Sequence, residues 1–262
     1  MSALDTPRVL ALEAAYNFRD LGGYVTTDGR VTRWRTVFRA DGLHRLTAAD
    51  LGVMQDIDLR TVIDLRTADE LVERGRFPLD AHPVGYHHVS LMDVIWDPGQ
   101  APAETSGAPV ADFLLQRYIE MIDGAGARIG DIFAILTDVD ALPAVFHCAA
   151  GKDRTGILAA LLLSSLGVAD DDVVADYALT GEAVPRMLAA WKAAAADKPP
   201  AEDGVPATPT PAAFLAAEPD AMAGLLTLIR EVHGSTRDYV RTLGVSESVL
   251  ADLETVLLER QA

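Results

Sequence analysis

Four short runs of β-branched and aromatic residues punctuate the first 150 positions: residues 36–39 (TVFR), 61–65 (TVIDL), 86–90 (YHHVS) and 144–147 (AVFH). Runs of this length and composition predict strands. Between them, apolar residues recur at helical spacing. One helix is predicted from Thr47 (TAADLGVMQDI), and another from Thr67, where Thr67-Ala68-Asp69-Glu70 has the form of a capping box. Residues 112–123 (DFLLQRYIEMID) read as an amphipathic helix. From about Arg154 to Leu166 the pattern changes. ILAALLLSSL is apolar nearly all round and stops at Gly167, which predicts a central, buried helix ending on a C′ glycine. Beyond Asp170 the chain reads helical apart from one insert, and the tail from Glu218 is expected to pack onto the same core. Strands alternating with helices predict an α/β architecture, a central sheet flanked by helices.

Two segments break the pattern. Residues 97–109 (DPGQAPAETSGAP) are rich in Pro, Gly and small polar residues. Residues 197–211 (DKPPAEDGVPATPTP) hold five prolines in fifteen positions and cannot be helical. Both are expected to be flexible inserts. With no internal repeat and no clean boundary, residues 1–262 are read as a single domain.

Composition narrows the classes. A chain of 262 residues, 50% hydrophobic and 23% charged, can bury a large core without staples. One cysteine, Cys148, excludes a disulfide framework and a cysteine-rich zinc site. A net charge of −17 argues against nucleic acid or anionic membranes as non-specific partners, while leaving room for a local basic pocket. No apolar run approaches the roughly 20 residues of a membrane span, so no integral membrane association is expected. The first residues show no basic stretch followed by an apolar one, which points to the cytoplasm. Export by a route that leaves no such signal stays open. His44, His82, His87, His88 and His233 do not fall into a metal spacing, and His87 and His88 would face opposite sides of a strand. No metal site is expected.

The chemistry concentrates in Val145-Phe146-His147-Cys148-Ala149-Ala150-Gly151-Lys152-Asp153-Arg154-Thr155-Gly156. An apolar strand ends at His147, a loop of small residues follows, and a helix begins near Arg154. The loop's N–H groups and the helix N-terminus converge on one point, an anion-binding nest. The chain's only thiol stands at the start of that loop, where such a field favours the thiolate. Arg154 offers a planar fork for two phosphate oxygens, and Gly151 permits the tight turn. A lone free cysteine is usually a buried small hydrophobe; the residues around this one speak for a nucleophile in an oxyanion cradle. A nucleotide-binding P-loop is rejected, because Phe146 stands where the first glycine belongs and Asp153 where Ser or Thr would hold magnesium.

The segment HCAAGKDRTG resembles the HC-x5-R-[ST] signature of the bacterial cysteine-dependent protein tyrosine/serine phosphatases. Asn17-Phe18-Arg19-Asp20-Leu21-Gly22-Gly23, Val37-Phe38-Arg39-Ala40-Asp41, Ile63-Asp64-Leu65-Arg66 with Glu70, Asp172-Val173-Val174-Ala175-Asp176-Tyr177, His233-Gly234-Ser235 and Leu243-Gly244-Val245 extend the resemblance over nearly the whole chain. It implies a tyrosine phosphatase-like fold with a mostly parallel sheet, a helical C-terminal region, and a lid formed by helices around residues 112–123 and the insert near Pro199. It implies that Cys148 attacks phosphorus and forms a phosphocysteine. Arg154 and the loop from Ala149 through Ala150, Gly151, Lys152 and Asp153 would hold the phosphate oxygens. His147 would orient the loop, and Thr155 would donate a hydrogen bond to the sulfur. No cofactor is implied. The partners are a phosphoprotein or phosphoinositide substrate and phosphate itself; Lys152 keeps phosphoinositides open.

The general acid has three candidates. Asp153 lies inside the cysteine loop and is the one the resemblance implicates. Asp93 follows a predicted strand and can sit on a separate acid loop. Asp64 ends a strand, where an aspartate commonly caps a loop or pairs with an arginine. Trp96-Asp97-Pro98 has the wrong order for the Trp-Pro-Asp acid loop of larger tyrosine phosphatases. Arg19 and Asp20 can pair with each other or brace the cysteine loop. Rival readings are a catalytically silent phosphate-binding module, a phosphoinositide-selective lipid phosphatase, and a thiol transferase of the rhodanese type.

Overall fold

All four predicted strands lie side by side in one sheet. The computed structural model describes residues 8–96, 101, 106–196 and 215–261. In it β3 (Val37–Ala40), β6 (Ala144–His147), β4 (Thr61–Asp64) and β5 (Gly85–His88) run parallel, and the short β1 (Arg19–Asp20) adds an antiparallel edge beside β3. The order β1-β3-β6-β4-β5 puts β6 at the centre. A separate ribbon pairs β2 (Arg30–Thr32) with β7 (Leu258–Arg260). β1, β2 and β7 are two or three residues long, too short to leave a period in the sequence.

Ala40, His147, Asp64 and His88 stand level at the carboxyl edge of the sheet, because the register aligns Ala40 and Asp64 with His147 and Asp64 with His88. Ligands of parallel sheets bind beyond this edge, and Cys148 is the next residue of the central strand. Alternation along the strands builds a core on each face. Val62 and Val145 pack with Phe18, Phe38, Leu43 and Met54 on one side. Ile63 and Phe146 face the helices on the other.

Helices α1 (Ala48–Asp56) and α2 (Ala68–Arg74) start at Thr47 and Thr67, each with a complete capping box. The apolar segment after the cysteine becomes α4 (Asp153–Ser165), in which every residue but Asp153 and Ser164 is buried. Against it pack α5 (Asp170–Ala178) and α8 (Thr236–Thr242), and α7 (Pro219–His233) packs on those two. α6 (Thr180–Ala196) follows α5 and α9 (Glu247–Leu257) precedes β7. Among the described residues no helix is long and apolar enough to cross a membrane.

The helix predicted over residues 112–123 is α3 (Ala108–Ile135), 28 residues long. It absorbs Ala108 and Pro109 from the segment expected to be an insert, with Pro109 in the first turn, where its missing N–H costs nothing. The helix is not a lid. Val110, Leu114, Tyr118, Ile129, Ile132 and Phe133 are fully buried against α4 and α7, so moving it would open the core. Residues 97–100 and 102–105 of the first expected insert lie outside the described residues, as do Pro199 and all of residues 197–211.

Leu114→Ala therefore reports on α3 as core. Truncating a leucine with no exposure is expected to lower unfolding stability by about 2–5 kcal/mol. Urea denaturation measures it; a change below about 0.5 kcal/mol, the usual size of a surface substitution, would instead match a detachable helix.

Candidate active site

The cysteine loop leaves β6 and reverses into α4 through Gly151, whose φ of +65° lies in the left-handed region. A Cβ at this position would come within 2.5 Å of the Ala40 carbonyl oxygen, so glycine is required by space as well as by conformation. Cys148 is free and buried. α4 starts at Lys152 without a side-chain cap, unlike α1 and α2. The carbonyls of Ala149, Ala150 and Gly151 are all engaged. Ala149 O accepts from Gly42 N at 3.1 Å. Ala150 O and Gly151 O accept from Asn17 Nδ2 at 3.0 and 3.1 Å. Gly151 O also accepts from Arg39 Nη2 at 2.8 Å. With these carbonyls turned outward and held, the amides are left facing the other way, which is the nest that an oxyanion needs.

Arg154 is nearly buried and gripped by Glu70 in a two-point pair, Nη1–Oε2 at 2.5 Å and Nη2–Oε1 at 3.0 Å. Burial works against the guanidinium charge, but the Cys148 sulfur and the Glu70 carboxylate outweigh it and hold its pKa above the usual value. Burial likewise works against the Glu70 carboxylate, and Arg154 reverses that, so its pKa lies below the usual range. Glu70 serves two elements at once. Its Oε2 also accepts from Thr67 N at 2.8 Å and closes the capping box of α2. The capping role was legible in the sequence; the grip on Arg154 was not.

Residues 10–259 match the model of the tyrosine phosphatase family. The chain belongs to this family. It is 26% identical to the triple specificity protein phosphatase PtpB of Mycobacterium tuberculosis, over 95% of this chain and 99% of that one. A tyrosine-protein phosphatase of Nostoc commune is 27% identical over 84% of this chain and 73% of its own. A Cupriavidus necator protein that carries a tyrosine-protein phosphatase name is 35% identical over 64% of this chain, and the match spans 61% of that protein. The solved P. aeruginosa TpbA is a distant likeness, with a TM-score of 0.29 and 16% identity over 60% of this chain and 78% of that one.

In this tyrosine phosphatase the Asn17–Gly23 and Val37–Asp41 segments are the scaffold of the cysteine loop. Arg39 reaches Gly151 O with one nitrogen and Asp176 Oδ2 with the other, at 2.5 Å. Arg19 binds Asp176 Oδ1 at 3.0 Å, Asp176 O at 2.7 Å, and Asn17 Oδ1. Tyr24 donates to Asp176 Oδ1 at 3.0 Å. Burial and the neighbouring Arg19 pull the Arg39 pKa down to about 10, still cationic at neutral pH. Burial opposes the Asp176 carboxylate too, but the two arginines hold its pKa far below the usual range. Arg19 thus braces the loop through Asn17 and Asp176. Asp20 does neither of the things expected of it. Its carboxyl accepts from Gly22 N at 2.8 Å and Arg35 N at 2.7 Å, tying the turn after β1 to the turn between β2 and β3. At Gly22 a Cβ would lie 2.4 Å from Trp34 Cα, which explains the glycine.

The three acid candidates separate. Asp153 opens α4 beside the loop; its Oδ1 accepts from the Tyr118 hydroxyl at 2.7 Å and lies 3.2 Å from Lys152 Nζ. Asp93 is exposed and paired with Arg128 of α3 at 2.6 Å. Asp64 is fully buried in a two-point pair with Arg66 and also accepts from Tyr86 at 2.8 Å. Burial would raise its pKa, but His147 and Arg66 override that and hold it below the carboxylate range, so it carries no proton to donate near neutrality. His147 lies 3.5 Å from Asp64, and its Nδ1–H donates to Cys148 O at 3.2 Å. Burial lowers its pKa, against the opposing pull of Asp64. Thr155 Oγ1 is buried and bonds to no atom among the described residues, Cys148 Sγ included. Lys152 is not a solvated rim residue: it is buried, with Nζ donating to Ala216 O at 2.8 Å.

One more carboxyl supports the scaffold. Asp41 accepts from Tyr16 N and Asn17 N, both at 3.0 Å, and burial raises its pKa to about 7 despite these donors. Between about pH 4 and 7 the folded chain therefore holds a proton on Asp41 that the unfolded chain has released. Stability falls as pH rises through this window, by at most about 1.4 kcal/mol per pH unit from this group. Asp20, raised by burial to about 6, acts in the same direction. Urea midpoints of wild type and Asp41→Asn at pH 5 and 7.5 test this. The variant is expected to show the shallower decline; parallel declines would refute the assignment.

Proposed function

We propose that this tyrosine phosphatase hydrolyses phosphate monoesters through a phosphocysteine on Cys148, with Arg154 clamping phosphate oxygens and Asp153 as the general acid. The observation that carries the reading is the loop itself. Its carbonyls are held by Asn17, Arg39 and Gly42, and its cysteine precedes a helix start without a side-chain cap and stands near a buried arginine. Cys148 Sγ, as the thiolate, attacks phosphorus in line while the ester P–O bond breaks and Asp153 gives its proton to the leaving oxygen. Water then attacks the phosphocysteine and gives a proton back to Asp153. The P–S bond breaks, releasing phosphate and the thiolate. Thr155, with an uncommitted buried hydroxyl, is suited to stabilise that thiolate. No step draws on a metal, and among the described residues no cluster of metal-ligating side chains occurs.

Phosphotyrosine is the proposed substrate. Phosphoserine, phosphothreonine and phosphoinositides belong to the same reading, supported by the likeness to a triple specificity relative and by a lysine in the loop. A silent phosphate-binding module would need neither a nucleophile nor an acid, and Cys148 and Asp153, which share one segment with Arg154, speak against that reading.

Phosphate release from phosphotyrosine peptide, phosphoserine peptide and phosphoinositide tests the proposal. Cys148→Ser is expected to abolish turnover on all of them. Asp153→Asn is expected to lose about 10²–10⁴-fold on phosphotyrosine and far less on nitrophenyl phosphate, whose leaving group needs no proton. Equal losses on both substrates would remove Asp153 from the acid role, and turnover surviving in Cys148→Ser would remove the phosphocysteine.

A further inference from the structure

Asp153 is held by a side chain from a helix remote in sequence. Tyr118 of α3 is fully buried, and its hydroxyl donates to Asp153 Oδ1 at 2.7 Å. A phenol has one proton, so the 2.6 Å contact between Tyr118 and Tyr177 hydroxyls is donated by Tyr177 of α5. The two rings meet edge-on, with centroids 6.2 Å apart. Lys152 Nζ lies 3.2 Å from the same Oδ1. Oδ1 therefore meets both the Tyr118 hydroxyl and the Lys152 ammonium. Among the described residues the charged and titratable groups facing this carboxyl are Lys152 and Arg154 from its own loop, Tyr118 from α3 and Tyr177 from α5; Glu218, at the start of α7, stands behind Tyr177. Tyrosine at position 118 is unexplained by packing alone. A phenylalanine would fill the same core space without burying a hydroxyl.

We propose that Tyr118, backed by Tyr177, is the positioning residue of the general acid: by donating to Asp153 Oδ1 it confines the transferable proton to Oδ2 and stabilises the carboxylate left after transfer. Burial of the Tyr118 hydroxyl raises its own pKa well above that of a free phenol, so it stays protonated and remains a donor throughout the working pH range. This inference rests on the acid role proposed for Asp153.

Removing the donor makes Asp153 a weaker and less well-aimed acid. Tyr118→Phe is expected to move the basic limb of the kcat/KM profile about one pH unit to the alkaline side. It is also expected to lower kcat by roughly tenfold for phosphotyrosine while sparing nitrophenyl phosphate, with KM unchanged. In an Asp153→Asn background the same change should have no further effect. A residue that only fills the core would reduce all substrates alike and leave the limb in place, and that result overturns the proposal. If Asp153→Asn itself shows no leaving-group dependence, the acid assignment has failed; if it does and Tyr118→Phe does not, the positioning role has failed. Should Tyr118→Phe fold poorly, Tyr177→Phe removes the donor to Tyr118 without touching Asp153. It should shift the limb in the same direction by a smaller amount, and an unmoved limb there counts against the proposal equally.

Discussion

A nest of backbone amides has an unavoidable reverse side. Each N–H turned toward an anion turns its carbonyl the opposite way, and here that way is into the protein, where an unpaired carbonyl costs free energy. The carbonyls of Ala149, Ala150 and Gly151 need donors from behind, and much of the polar interior of this molecule is arranged around that need. Asn17 and Arg39 supply side-chain donors. Arg39 needs a buried counter-charge, which is Asp176, and Asp176 in turn takes Arg19 and Tyr24. Removing one member of such a buried set strands the charge of another, at about 3–5 kcal/mol. The loop's shape and the fold's stability are therefore hard to separate.

Charge is distributed in the same logic. The chain carries −17 overall, yet the groups next to the cysteine loop are cationic: Arg154, Lys152 and Arg39. Each is matched at once by a carboxylate or a carbonyl, Glu70, Asp153 and Asp176 for the charges and Ala216 O and Gly151 O for the remaining protons. A phosphate thus meets paired charges and backbone amides inside a protein whose far field repels it. Recognition falls to short-range contacts, and salt should affect capture little compared with a basic enzyme.

Much of this was legible in the sequence, and the limits have physical reasons. Three of the four parallel strands, β3, β4 and β6, and the buried helix after Cys148 left strong signals, because strands buried on both faces read as apolar runs. The strand–loop–helix course of the cysteine loop was legible because an apolar run, small residues with a glycine, and a helical pattern follow one another there. The length of α3 was not: Gly124, Gly126 and Gly130 and a proline at its start resemble breakers, and only burial against α4 and α7 keeps the helix going. Nor were the partners of the loop. Arg19, Arg39 and Asp176 stood in recognisable motifs, yet their meaning is a three-way contact between segments more than 130 residues apart. Tyr118 sat in an ordinary amphipathic pattern, where a tyrosine reads as one more apolar position.

Those separations also set a clock. Asn17 and Arg19 emerge early from the ribosome, yet Asp176 follows Arg19 by 157 residues and Thr180 follows Asn17 by 163. At cellular elongation rates that interval is roughly 10 to 30 seconds, and closing loops of this size is a late event in any folding pathway. Cys148 itself is made only 28 residues before Asp176, so over the last stretch of that interval the nascent chain carries its sulfur before this partner of the loop exists. The loop's full set of buried partners is therefore complete only once the chain has been made as far as Thr180.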